Sequence, residues 1–137
     1  MVMQFTRLTP ILRIFDVAKA KEFYLDFLGF TLDWQHSFEY DLPGFMQVSL
    51  GPVAIYLSEH HGDGSPGAKI VIATVGLAEY HAVIVAKNYR HARPGLEEQP
   101  WGETTMTITD PFYNHITFSE AGPDILSAQP AMVDPHA

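Results

Sequence analysis

Seven histidines, 16 carboxylates and no cysteine bound the chemistry open to this 137-residue chain. Without a thiol there is no Cys nucleophile, no Cys-ligated zinc, no iron–sulfur cluster and no disulfide scaffold. The densest imidazole–carboxylate run is Glu59-His60-His61. Adjacent strand residues point to opposite faces, so His60 and His61 reach one ion only if the chain turns between them. Gly62 and Gly64 offer that turn, although a His pair beside a Gly-rich stretch is more often plain surface. The other imidazoles are scattered. His36 alternates with Trp34 and Phe38, His81 falls within a helical stretch, His91 sits in a small basic patch with Arg90 and Arg93, and His136 lies near the end. No Ser/His/Asp series, nucleophile elbow or Gly-rich phosphate loop is present, so Ser49, Ser58 and Ser119 read as ordinary strand residues.

The elements that must position these groups follow from periodicity. Leu8–Phe15 reads as an opening strand, and Val17–Leu28 as a helix. Ala20, Phe23, Tyr24, Phe27 and Leu28 form its apolar stripe, Asp16 its N-cap and Gly29 the left-handed residue past its end. Phe30 to Phe38 alternates at the period of a half-buried strand. Phe45–Leu50 and Val53–Glu59 form a hairpin around Gly51-Pro52, and 61–67 is the most linker-like stretch. A second strand and helix follow at 69–75 and 77–87, then a short strand candidate at 89–93. Glu103–Thr109 and Asn114–Glu120 make a closing hairpin around 110–113.

The two halves repeat one another. Each reads strand, helix, three strands, and Ile55-Tyr-Leu-Ser-Glu59 returns as Ile116-Thr-Phe-Ser-Glu120 at an offset of 61 residues. The two helix starts are offset by 60, and agreement to one residue at both ends indicates internal duplication. Within the duplicated strands, Val53, Ile55, Leu57, Ile116 and Phe118 share one parity. Tyr56, Ser58, His115, Thr117 and Ser119 share the other. In the opening strand Leu8, Leu12 and Ile14 would face the helix, leaving Thr9, Ile11 and Arg13 opposite. The second face therefore mixes aromatic, hydroxyl, imidazole and cationic groups, either as an outer surface washed by solvent or as the lining of a cleft.

Composition narrows the partners. A formal charge of −8 argues against sequence-independent nucleic-acid binding, which needs a surplus of Lys and Arg. It favours a cationic guest. No apolar run approaches the ~20 residues of a membrane helix, and the N-terminus lacks a secretory h-region. The expectation is a cytoplasmic protein without membrane contact.

The order and spacing of several weak motifs bring a family into view. Ile14-Phe-Asp16, Phe23-Tyr24 and Leu28-Gly29-Phe30, then Trp101-Gly102, Asp110-Pro111 and Asn114, resemble the glyoxalase/bleomycin-resistance/extradiol-dioxygenase (vicinal oxygen chelate) superfamily. The likeness covers about residues 7–120 and is nearest to its bleomycin-resistance branch. It implies an α+β fold of tandem βαβββ modules forming a curled mixed sheet with helices on the outer face. The expected organisation is a single domain over 1–120, with modules at about 7–60 and 68–120 and a C-terminal tail at 121–137.

The superfamily's metal-ligand positions fall here on Thr9, Tyr56, Lys69 and Thr117, none an imidazole or carboxylate. The resemblance thus implies the fold without the metal chemistry, no cofactor, and binding rather than catalysis. It implies a domain-swapped homodimer that sequesters a bleomycin-type glycopeptide in clefts at its interface. Trp34, Phe38 and Trp101 would stack on rings, and Asp33, Glu39, Asp41, Glu59 and Glu103 would form a negative rim. His36, Tyr56, His60, Tyr113 and His115 complete the expected ligand-binding set. Tyr113 stands where the superfamily usually has Gly. It is strained there unless the turn type changes or Asn114 takes the positive φ. A metal-dependent lyase or dioxygenase with relocated ligands, and a binder of another aromatic or cationic metabolite, are the alternatives.

Overall fold

The computed structural model describes residues 2–36 and 43–123. Phe38, Glu39, Asp41 and the tail from Asp124 lie outside the described residues. The chain clusters into two compact units, one of residues up to Ile70 with Thr109–His115, the other of Val71–Ile108 with the chain from Ile116 on.

The first unit opens with β1 (Ile11–Arg13), three residues where the alternation suggested eight. Pro10 lacks the N–H that would extend the ladder, although its carbonyl still accepts from Tyr56 N at 2.9 Å. Leu8 consequently lies before the strand, 85% exposed, rather than facing the helix as its parity suggested. Helix α1 (Val17–Lys21) is capped by Asp16, whose carboxylate accepts from Lys19 N at 2.9 Å. It then widens into a π-helical turn at Glu22–Phe27, with Leu28 N donating to Phe23 O at 2.9 Å. The extra residue in that turn does not break the apolar stripe. Ala20, Phe23, Tyr24, Phe27 and Leu28 are all buried, and Gly29 takes the expected positive φ of 85°.

β2 (Thr31–His36), β3 (Phe45–Leu50) and β4 (Val53–Ser58) complete a four-stranded sheet of order β1-β4-β3-β2. β1 runs parallel to β4, and the other neighbours are antiparallel. Leu12, Ile14, Met46, Val48, Ile55 and Leu57 are its buried face.

The second unit carries β5 (Lys69–Ala73), α2 (Leu77–Ala86), β6 (Glu97–Glu98), β7 (Glu103–Thr109) and β8 (His115–Ala121). The sheet order β5-β8-β7-β6 is that of the first sheet shifted by four strands. This is the strand–helix–three-strand repeat expected from the sequence, with the inner ends of β5, β7 and β8 counted in the first unit. Its core is Leu77, Ile84, Met106, Ile108, Ile116 and Phe118, with the Tyr80 ring on Phe118 at 5.0 Å. The strand expected at 89–93 does not form. Asn88 turns the chain with a φ of 55°, and the short β6 comes later. Among the described residues, no helix is long and apolar enough to cross a membrane.

Candidate functional site

A β-bulge in β2 shapes the most distinctive surface. Leu32 pairs with Val48 and Trp34 with Gln47, so Asp33 has no partner of its own. One extra residue flips the side-chain alternation. Leu32 therefore follows Val48 toward the core, while Trp34 joins Gln47 and Tyr56 on the other face. This corrects the uninterrupted alternation of Phe30 to Phe38 read from the sequence, which kept Leu32 and Trp34 together.

On that face the rings of three strands meet. Trp34 lies nearly parallel to Phe45, with centroids 5.6 Å apart and planes at 24°. Tyr56 packs 5.6 Å from Trp34 and 5.2 Å from Phe45. His36 sits 5.3 Å from Trp34, and His60 is edge-on to Phe45 at 6.3 Å. Trp34, Phe45, Tyr56 and His60 are half-buried and His36 is exposed, so ring surface stays open to a flat guest.

Polar groups beside the rings are held in place. The Asp33 carboxylate accepts from Gln47 Nε2 at 3.0 Å and Ser49 Oγ at 2.9 Å. These bonds, that from Gln47 foremost, hold its pKa below the ordinary carboxylate value. Arg7 Nη2 donates to Gln47 Oε1 at 3.3 Å. At the other end the His60 carbonyl accepts from Arg13 Nη1 at 2.7 Å and Asp63 N at 3.1 Å. The His60 N–H donates to Ser58 Oγ at 3.0 Å, and Ser58 Oγ donates to Asp63 at 2.9 Å. Gly64 closes this corner with a φ of +73°, and a Cβ there would meet Ile11 O at 2.8 Å.

The other expected site residues are placed as follows. Glu59 Oε1 accepts from Gly44 N at 2.8 Å, which ties the start of β3 to the end of β4. Tyr113 itself takes the left-handed conformation, at φ 69°, and its ring is 75% exposed. His115 Nδ1 lies 3.0 Å from Thr109 Oγ1. In the second unit Trp101 is 59% exposed on a turn pinned by Gly102 N to Gln99 O at 3.0 Å and Gly122 N to Gly102 O at 2.9 Å. Glu103 accepts a short hydrogen bond from Ser119 Oγ. Trp34, His36, Tyr56 and His60 are thus brought together in the first unit, whereas Trp101 and Glu103 belong to the second.

Sequence reasoning assigned no site role to Phe45, Gln47, Ser49 or Arg13, although it set Arg13 on the second face and read Ser49 as an ordinary strand residue. The first three share one parity in β3, opposite to Met46 and Val48, and an aromatic residue on the polar parity was the available signal.

Residues that would hold the superfamily's metal do not fit one. Tyr56 lies in the ring cluster, Thr117 Oγ1 is bonded to Thr107 Oγ1 at 2.8 Å, and Lys69 is an exposed cation. Among the described residues no three His, Cys, Asp or Glu side chains gather where an ion could bind.

The chain is thus a duplicated βαβββ protein with an aromatic sheet face flanked by fixed polar groups. A family model described as glyoxalase superfamily protein matches residues 1–123, and the chain belongs to that superfamily. Curated bleomycin resistance proteins of Geobacillus stearothermophilus and Staphylococcus aureus are each 29% identical over 127 residues, covering 80% of this chain and 92% of theirs. Among solved structures, a bleomycin resistance determinant encoded on transposon Tn5 matches with TM-score 0.66 and 19% identity over 85% of this chain and 98% of that one. A bleomycin-binding protein from Streptomyces verticillus, complexed with copper(II)-bleomycin, matches at 0.64 and 23% over 88% and 99%.

Proposed function

We propose that this protein binds a bleomycin-type glycopeptide without transforming it, and that sequestration in the cytoplasm gives resistance. The observation that carries the reading is the Trp34–Phe45–Tyr56 ring cluster beside the ionised Asp33 carboxylate. Flat heteroaromatic rings stack on such a platform, and a cationic group is drawn to the carboxylate and to a chain of charge −8. The curated relatives, named for bleomycin resistance, support this choice of ligand.

Two such clefts at the interface of a homodimer, with chains exchanging a segment, complete the proposal. Val2, Met3, Phe5 and Leu8 are exposed apolar side chains within the first eight residues, which a second copy would cover. Calorimetric titration with metal-free bleomycin tests the ligand. The expected result is one site per chain with micromolar affinity or better, product-free after prolonged incubation, and at least about tenfold weaker in Trp34→Ala. Absence of heat at micromolar protein overturns the ligand assignment. Sedimentation at the same concentration reads the dimer directly.

A further inference from the structure

A cavity lies wholly within the second unit, formed by the end of α2 and the loop after it. Its volume is about 210 Å³, and it is lined by His81, Val85, Asn88, Tyr89, Arg93 and Pro94, with Ala92 at its wall. The aromatic face accounts for none of these residues.

Charge distribution singles the cavity out. Lys87, Arg90 and Arg93 are three of the chain's eight Lys and Arg side chains, placed within seven residues of a strongly acidic sequence. Among the described residues the Arg93 guanidinium has no hydrogen-bond or ion-pair partner, whereas Arg7 and Arg13 are both engaged. A helix C-terminus repels anions. Here the Ile84 and Val85 carbonyls already accept from Lys87 N at 3.2 Å and Asn88 N at 3.1 Å, so Arg93 is not consumed in capping them. Apart from Asn88, the rest of the lining is apolar or aromatic. Val85, Ala92 and Pro94 give aliphatic walls. The Tyr89 ring is held edge-on against His91 at 5.3 Å, and His81 Nε2 lies 2.9 Å from Pro94 O, which fixes that wall.

We infer that this cavity is a binding site for a small aromatic carboxylate, its ring against Tyr89, Val85 and Pro94 and its carboxylate on Arg93. A guanidinium supplies paired donors to a carboxylate, and the apolar wall selects against anions that lack a body. The site is too small for a glycopeptide, so it stands apart from the function proposed above.

NMR titration of the full chain with sodium benzoate tests it, with sodium acetate, inorganic phosphate and sodium chloride as parallel arms. Benzoate is expected to shift His81 and Tyr89 signals saturably at about millimolar concentration, with acetate at least about fivefold weaker. Phosphate and chloride are expected to give no saturable shift. Arg93→Gln weakens benzoate about tenfold, while Lys19→Gln, which removes the same charge from α1, leaves it unchanged. No saturation by about 10 mM benzoate, equal binding in the two variants, or phosphate binding as tightly as benzoate would each overturn the inference.

Discussion

Asp33 acts through its position as much as through its charge. It is the bulged residue of β2, so the step that turns Trp34 to the open face also places a carboxylate beside it. Gln47 and Ser49 then orient that carboxylate and keep it ionised further into acid than a free Asp. Asp33→Asn is expected to weaken a cationic aromatic ligand about three- to fivefold, the modest effect of an exposed charge pair, and to leave the melting temperature nearly unchanged. In the parent protein, affinity should hold as pH falls to about 4 and drop only below the ordinary Asp value. Calorimetry across that range reads both. A loss centred above pH 5 would point to another group.

Tyr113 is strained in a way Gly would not be. An L side chain at a φ of 69° costs about 1 kcal/mol, and its exposed ring recovers little by packing. Tyr113→Gly should raise stability by up to about 0.5 kcal/mol, after allowing for the extra freedom of Gly in the unfolded chain. If affinity for the ligand falls in the same variant, the ring has a binding role that offsets its strain. Thermal melts and titration of one sample separate the two effects.

At the scale of elements, the closing turn is built around Asp110. Its Oδ1 accepts from the N–H groups of Phe112 and Asn114, each at 2.8 Å. Its Oδ2 accepts from Tyr24 OH at 2.7 Å and Asn114 Nδ2 at 2.9 Å. Asn114 Nδ2 also reaches the Arg13 carbonyl at 2.8 Å. The turn is thereby locked to the π-helical turn after α1 and to β1 of the first unit. Asp110→Ala leaves four buried donors without that acceptor and is expected to cost about 3–5 kcal/mol, against about 1–2 kcal/mol for Tyr24→Phe, which removes one donor. Denaturant melts of the two variants check the ranking, and equal costs would contradict it.

The long-range bonds of this network could not be read from the sequence, because Tyr24 and Asp110 are 86 residues apart and Arg13 and Asn114 are 101 apart. What could be read was local. The apolar stripe from Ala20 to Leu28, the Asp16 cap, Gly29 and the repeated strand–helix–strand order all depend on neighbours in the chain. The bulge at Asp33 was invisible for the opposite reason. Alternation within β2 looks regular, and only the register against β3 shows that one residue is extra. The structure gathers Trp34, His36, Tyr56 and His60 with Phe45, Gln47 and Ser49 of the facing strand, residues to which the sequence pattern assigned no site role.

For the whole molecule, each unit holds a tyrosine whose ionisation its surroundings oppose, Tyr24 buried and Tyr80 half-buried. In the first unit burial, and then the adjacent Asp110 carboxylate, raise the Tyr24 phenol well above its ordinary value. In the second, burial does the same for Tyr80. Tyrosines in an unfolded chain ionise near pH 10. Below that pH both states hold these two protons and the full stability is present. Above it the unfolded chain releases them while the folded chain keeps them, so stability falls as pH rises toward the folded values. Absorbance at alkaline pH should therefore show a delayed phase to which Tyr24 and Tyr80 contribute, coincident with loss of the circular dichroism of the fold. Tyr24→Phe and Tyr80→Phe should each remove one tyrosine from the delayed phase. Titration of all six tyrosines near pH 10 with the fold intact would refute the burial argument. The two variants also report cooperativity. If each leaves the remaining delayed tyrosine coincident with the whole unfolding transition, the units unfold as one, whereas two separated transitions would make each unit an independent folding body.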